Sequence, residues 1–142
     1  MTDNTNDLMQ QLKKVDAPQE IDMYLEQIRD KYPKDFAGYI NTILEHKGIA
    51  ITDMQKKSGI ERTYLYQILN GRKNPGRDKI IAIAIACRMD LAECQRALEI
   101  TEEGILYAKS IRDSLIIYAI NKHLSLIELN SLLEDHQMPV LN

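Results

Sequence analysis

The 142-residue chain lacks tryptophan, has one phenylalanine and two cysteines, and contains no long hydrophobic run. Its longest uninterrupted apolar stretch, Ile80 to Cys87, has eight residues, far short of the roughly 18 that a membrane-spanning helix needs. Two cysteines without further ligands exclude the tight four-ligand spacing of a zinc site and indicate free thiols in a reducing compartment. The sequence therefore predicts neither a membrane span nor a structural metal.

Other absences exclude most catalytic and cofactor-binding classes. The sequence contains no glycine-rich phosphate loop, nucleophile elbow or paired-carboxylate motif. The histidines His46, His123 and His136 have no metal-binding or catalytic spacing and are expected at the surface or at helix ends. The first residues, Met1 to Asn4, lack the basic-then-apolar order of a signal peptide. We therefore expect a cytoplasmic protein that is not an enzyme and takes no cofactor or metal.

Charge is distributed unevenly along the chain. The whole chain has a net charge of −3, yet residues 36–88 carry nine basic and four acidic side chains. Residues 1–35 have a net charge of −3 and residues 89–142 one of −5. A basic middle between acidic flanks indicates an anionic partner that touches one segment only. Random clustering of charges is the alternative.

Apolar residues recur at helical spacing along most of the chain, and strand alternation with hairpin turns is absent. The predicted helices cover about residues 18–32, 36–47, 51–57, 61–69, 77–88, 91–101, 111–123 and 126–135. Asp90 with Glu93 and Ser125 with Glu128 have the form of capping boxes. Residues 1–18 hold few apolar positions and are expected to fray. The sequence therefore predicts an all-α fold.

The first predicted helix is amphipathic, and proline at position 33 ends it because proline cannot continue the helical hydrogen bonds. Its apolar stripe consists of Ile21, Tyr24, Leu25, Ile28 and Tyr32. This stripe is a candidate dimer contact, and packing against its own domain is an equally open alternative. Asp35 is the predicted N-cap of the next helix, and Gly48 its predicted stop.

The second half of the chain contains an internal repeat with a period of 35 residues. Residues 77–106 and 112–141 share ten identities in 30 aligned positions, including Arg77-Asp78 on Arg112-Asp113. Duplication of a helical hairpin and convergent helix patterning both produce such a match. The coincidence of the two capping boxes and of the Arg-Asp pairs favours duplication.

The helix that opens each copy of the repeat is apolar all round, whereas a surface helix shows a polar face. Two such helices left exposed would form a large apolar patch, which soluble monomers avoid. We therefore expect each hairpin to cover the other, within the chain or across a dimer. Ile83 and Ile116 are accordingly predicted to be buried.

Two short helices on either side of a glycine carry the main functional signal. Gly59 can adopt a positive φ without steric cost, so the helices at 51–57 and 61–69 can meet at a sharp angle. The apolar residues at the packing positions are Met54, Ile60, Leu65 and Ile68. The residues left on the outer face of the second helix are Arg62, Thr63, Tyr66 and Gln67. Such side chains can contact base edges in the major groove of DNA, which is wide enough to admit a helix.

Residues 36–100 resemble the Cro/C1-type (XRE family) helix-turn-helix domain, a five-helix, lambda-repressor-like unit. The motif positions above match, as does the following stretch Asn70-Gly71-Arg72-Lys73-Asn74-Pro75. The resemblance implies that the start of the second motif helix reads bases, through Arg62, Thr63, Tyr66 and Gln67. It also implies phosphate contacts from the first motif helix and from the loop after the second one. These implied contacts are Thr52, Tyr64, Arg72, Lys73, Asn74 and Arg77.

The chain departs from the family pattern in three places. Ile51 stands where many members have a phosphate-binding glutamine. Gln55 stands where a small alanine is usual, at a close helix crossing. Leu44 and Leu69 replace an Arg–Glu pair that some members bury, an apolar replacement that often costs nothing in stability.

These observations predict an N-terminal tail and amphipathic helix at 1–35 and a helix-turn-helix domain at 36–104. A C-terminal helical hairpin at 105–142, a repeat of 77–104, is expected to serve packing and dimerisation. The expected function is that of a sequence-specific transcriptional regulator that binds a double-stranded DNA operator as a homodimer, with its recognition helix at about 61–69. The alternative is a protein-interaction module, such as an antitoxin or adaptor, that docks a partner on its acidic C-terminal hairpin.

Overall fold

The computed structural model describes residues 5–31 and 35–142, and within these ranges the chain forms α-helices and no β-strand. The chain divides into two units, one ending at Lys34 and one beginning at Asp35. No helix in the described ranges is long and apolar enough to cross a membrane. The predicted all-α class is confirmed.

The N-terminal unit begins with α1 (Thr5–Lys13), so the expectation that residues 1–18 fray is wrong for this segment. Leu8 and Leu12 lie one turn apart on the same side of α1. Asp7 in the first turn and Lys13 in the last turn have the signs that the helix dipole favours. Three apolar residues, Leu8, Met9 and Leu12, and two terminal charges were too short a pattern to recognise in the sequence.

The second helix of this unit is α2 (Pro18–Lys31), which begins with proline at a position where the missing N–H costs nothing. The stripe residues Ile21, Tyr24, Leu25 and Ile28 lie on this helix, and Leu25 is 42% exposed. Tyr32 and Pro33, the predicted end of the stripe and of the helix, lie outside the described residues.

The second unit contains the remaining helices of the described chain. They are α3 (Phe36–Lys47), α4 (Ile51–Ser58), α5 (Arg62–Leu69), α6 (Arg77–Ala86), α7 (Leu91–Ile100), α8 (Ile111–Asn121) and α9 (Leu126–Asp135). Helices α6 and α8 each end two residues before the predicted position, because Cys87 and Lys122 act as C-caps. Helices α3 to α7 give the five-helix order expected for a helix-turn-helix domain, and α8 and α9 form the C-terminal hairpin.

Local capping places the ends of several helices as predicted. The Asp35 carboxylate accepts a hydrogen bond from the Gly38 amide at 2.8 Å, and Gly48 ends α3 with a φ of 62°. Both predicted capping boxes are present, at the starts of α7 and α9. Helix starts therefore follow from short-range side-chain chemistry that the sequence displays directly.

Helix α6 lies in the centre of the second unit, and every residue from Ile80 to Ala86 is buried. Helix α4 packs on it from one side, and α7 and α9 also contact it. Ile83 and Ile116 are both 0% exposed, as predicted. Leu44 and Leu69 also belong to this core, which fits the apolar replacement of a charged pair.

Both cysteines are free, as the sequence predicted, and both are buried. Burial raises the pKa of the Cys87 thiol and of the Cys94 thiol to about 12, because the charged thiolate is poorly solvated in an apolar core. The two side chains therefore act as small hydrophobic residues and remain protonated at neutral pH.

Reciprocal ion pairs join the two copies of the repeat. The Arg77 guanidinium lies 2.9 Å from the Asp113 carboxylate, and the Arg112 guanidinium lies 3.0 Å from the Asp78 carboxylate. Each arginine thus binds the aspartate of the other copy. The pairs explain why the Arg-Asp dipeptide occurs twice at this spacing.

The backbone contacts of the two copies match in the same way. Arg77 donates to the carbonyls of Gly104 and Ile105, and Arg112 donates to those 35 residues further along, at positions 139 and 140. Gln95 and its counterpart Asn130 each accept a hydrogen bond from the backbone amide eleven residues later. Helical periodicity does not dictate such partners, so the contacts favour duplication over convergent patterning.

Candidate nucleic-acid interface

The turn between α4 and α5 is built around Gly59, whose φ of 69° ends α4 in the left-handed region. Ile60 then enters the core, and the Gln55 side-chain amide donates to the Ile60 carbonyl at 2.9 Å. The long residue at a position where the family usually has alanine therefore satisfies a backbone acceptor of the turn. Met54 and Leu65 are fully buried between the two helices, as the motif predicts.

The sequence predicted that α5 begins at Glu61, but the helix begins at Arg62 and Glu61 is its N-cap. Its carboxylate accepts hydrogen bonds from the Thr63 amide at 3.0 Å and from the Tyr64 amide at 2.9 Å. These backbone hydrogen bonds hold the pKa of Glu61 below its usual value, because they favour the charged form. The start of α5 is thus fixed in place by an ionised side chain.

The four candidate base-reading residues lie within the first two turns of α5. Arg62, Thr63 and Tyr66 are exposed, and Gln67 is half-buried. The Arg62 guanidinium lies over the Tyr66 ring, 5.7 Å from its centroid. This contact orders a long side chain on the helix surface without removing its hydrogen-bond donors from solvent.

The loop after α5 has a tightly hydrogen-bonded backbone. The Asn70 side chain accepts from the Arg72 amide at 3.0 Å, and the Gln67 carbonyl accepts from the amides of Arg72 and Lys73. Gly71 has a φ of 82°, which a residue with a Cβ adopts only with strain. The loop therefore has one defined path directly after α5.

The side chains of this loop divide between core and solvent. Pro75 is buried, whereas Arg72, Lys73 and Asn74 are exposed. Within the described residues, no ion pair involves Arg72, Lys73 or Arg62. These cations therefore keep their charge available to an external anion.

The other implied phosphate contacts are arranged differently. Thr52 is exposed in the first turn of α4, whose N-cap, Ala50, has no side-chain hydrogen bond to the helix start. Tyr64 is half-buried, and its ring lies 5.5 Å from the Nζ atom of Lys79. The sequence analysis did not select Lys79. Its position in the first turn of the helix after the basic loop could have indicated that it lies near this surface.

Arg77 does not join this group. All of its described hydrogen bonds go to the protein itself, to Asp113 and to the carbonyls of Gly104 and Ile105. An arginine with its donors used in this way joins the two copies of the repeat. The resemblance supplied the position of Arg77 but not its partner, which lies 36 residues away.

Metal-binding chemistry has no support in the described ranges, where no group of three or more potential ligands occurs. His46, His123 and His136 are all exposed, and each lies in or just after the last turn of a helix, as predicted.

Comparison with known proteins places the motif in a family. Residues 40–94 match the family model described as helix-turn-helix. No curated protein and no solved structure gives a significant match to the chain. The matched segment runs from α3 into α7 and contains both motif helices and the basic loop. Residues 40–94 therefore form a helix-turn-helix domain of the Cro/C1 type, a class of DNA-binding regulatory domains.

Proposed function

We propose that the chain is a cytoplasmic, sequence-specific transcriptional regulator that reads the major groove of DNA with α5. The observation that carries this proposal is the exposure of Arg62 on α5 next to exposed Arg72 and Lys73 in the following loop, without ion-pair partners in the described ranges. Phosphates are attracted to such unpaired cations, and donors on a helix surface can read base edges.

The two parts of this surface have different roles in the proposal. The start of α5, with Arg62, Thr63, Tyr66 and Gln67, contacts bases. Arg72, Lys73 and Asn74, together with Thr52 and Tyr64, contact phosphates and fix the orientation of the helix in the groove. Arg77 is left out because its hydrogen bonds hold the repeat.

Substitution of one residue from each part should weaken binding in different ways. Arg62→Ala is expected to relax the preference at one or two base positions and to cost roughly 1–3 kcal/mol on the preferred sequence. Lys73→Ala should weaken binding to all sequences alike and make the salt dependence shallower by about one unit of slope for each bound protomer, because each protomer loses one phosphate contact. The measurement is selection of bound sequences from a random DNA pool with each variant. If Arg62→Ala selects the same sequences with the same bias as the wild type, α5 does not read bases through this residue.

We also propose that the regulator acts as a homodimer. One helix-turn-helix contacts too few base pairs for genomic specificity, and two recognition helices about one helical turn of DNA apart would double the site. The stripe on α2 is one candidate contact. Sedimentation at micromolar protein, with and without operator DNA, decides the point. A single species of 16.4 kDa under both conditions would rule out the dimer.

A second candidate function is a protein-interaction module, and one observation favours it. The C-terminal hairpin exposes large apolar side chains, with Ile111 at 65% and Ile127 at 80%. Residues 89–142 also have a net charge of −5, which suits a basic partner. This alternative predicts that Arg62→Ala and Lys73→Ala have no effect, because the wild-type protein would bind no DNA.

A further inference from the structure

A cavity of about 550 Å³ opens where the ends of α4 and α6 meet the start of α9. It lies entirely within the second unit, and none of its lining residues belongs to α5. Its volume falls in the range of sites that hold small organic molecules. Residues from three separate stretches of the chain line it: 56–59, 85–88 and 123–128.

The floor of the cavity is apolar and its rim is basic. Ile85, Leu124 and Leu126 supply aliphatic surface. Lys56, Lys57 and Arg88 line the same cavity, and all three are exposed. No ion pair in the described ranges involves any of the three.

The lining residues include one carboxylate, that of Glu128. One oxygen of Glu128 accepts a hydrogen bond from the Ser125 amide at 2.9 Å, as part of the capping box of α9. The three cations therefore outnumber the acidic groups at the rim, and the apolar floor has no charged group to pair with them. A ligand that complements both features combines one negative charge with an apolar body.

We propose that this cavity binds a small amphipathic anion, such as a carboxylic acid with a medium-length alkyl chain or a fused aromatic ring. The carboxylate lies among Lys56, Lys57 and Arg88, and the apolar body lies on Ile85 and Leu126. Binding removes apolar ligand surface from water and pairs the carboxylate with cations that form no ion pair to any described residue.

The site adjoins the turn of the helix-turn-helix. The Cδ2 atom of Leu126 lies 3.8 Å from the position that a Cβ on Gly59 would occupy. A molecule in the cavity therefore touches both the start of α9 and the turn that joins α4 to α5. None of the cavity's cations belongs to the proposed DNA-binding residues. The proposal of a ligand site can therefore be tested independently of the proposal of DNA binding.

The test is calorimetric titration of the full-length protein with octanoate and with 1-naphthoate, which separate the alkyl from the aromatic ligand. Saturable binding of at least one of them is expected, and 1-octanol, which has the alkyl chain without the charge, should bind at least tenfold more weakly than octanoate. Amide NMR shifts on titration should cluster at residues 56–59, 85–88 and 123–128.

Two double variants test the location. Lys56→Glu with Lys57→Glu should weaken anion binding at least tenfold. Lys109→Glu with Lys122→Glu makes the same change in net charge at exposed positions outside the cavity, and should change the affinity less than twofold. Absence of saturable binding of both anions at millimolar concentration would overturn the proposal. Equal losses in the two double variants, or equal binding of 1-octanol, would overturn it as well.

Discussion

A protein cut after Gly104 is expected to aggregate or to melt far below the full chain. Helix α6 has no polar face, and the missing hairpin supplies Ile116, Leu129 and Leu133, all of them fully buried. Burial of one large aliphatic side chain contributes roughly 1.5–3 kcal/mol. Three such residues therefore contribute about 5–9 kcal/mol, as much as the whole stability of many domains.

Circular dichroism melting and sedimentation of the 1–104 protein measure this effect. A soluble protein with the melting temperature and oligomeric state of the full chain would show that the hairpin has another purpose. We propose that residues 105–142 support the core and the dimer without touching DNA, and the melting experiment tests the first part of that proposal directly.

Asp113→Asn is expected to destabilise the protein by about 2–3 kcal/mol, because it leaves the Arg77 guanidinium partly buried without a counter-charge. The Asp113 side chain is 9% exposed, and that of its repeat counterpart Asp78 is 26% exposed. Asp78→Asn should therefore cost less than Asp113→Asn. Urea unfolding at pH 7 measures both, with Asp135→Asn at an exposed helix end as the matched control. If Asp113→Asn and the control are equally stable, the ion pairs do not contribute to the stability of the repeat.

These ion pairs also predict the acid dependence of stability. Burial alone would raise the pKa of Asp113, but the hydrogen bonds from Arg77 and from the Tyr107 amide outweigh it, so the pKa lies below its usual value. The pKa of Asp78 is lowered against burial in the same way, by Arg112 and the Asn142 amide. A carboxylate with a lowered pKa stabilises the fold above its unfolded pKa of about 3.9 and loses that contribution as the pH falls through the folded value.

Unfolding free energies measured between pH 7 and pH 3 should therefore fall on the acid side for the wild type. Asp113→Asn should have a flatter acid limb, because the amide does not titrate. An unchanged slope in the variant would show that other carboxylates account for the acid dependence.

Features that depend on neighbouring residues were predictable from the sequence. The caps at Asp35, Asp90 and Ser125 and the left-handed stops at Gly48 and Gly59 each need only side chains within a few residues. The apolar character of α6 likewise required another part of the chain or a partner to cover this helix. The repeat indicated that the C-terminal hairpin covers it.

Features that depend on distant partners were not predictable. Arg77 stands next to the basic loop in sequence, but Asp113, the carboxylate that it pairs with, lies on α8. The cavity has walls from three helices that the sequence separates widely. The reciprocal Arg–Asp pairs were predictable in part. The repeat displays both dipeptides, but only the packing shows that each arginine pairs with the aspartate of the other copy.

The most direct test of the proposed DNA surface is the salt dependence of binding to duplex DNA. Arg72 and Lys73 from each of two protomers give four charged phosphate contacts, which predicts a slope of about −3 to −4 in a plot of log affinity against log salt concentration. Fluorescence anisotropy of a labelled duplex measures this slope. The NaCl concentration is varied between about 50 and 300 mM, a range that spans physiological ionic strength. The predicted result is that steep slope, made shallower when Arg72 and Lys73 are both replaced by alanine. No binding to any duplex at the lowest salt concentration would contradict the proposal that this surface contacts DNA.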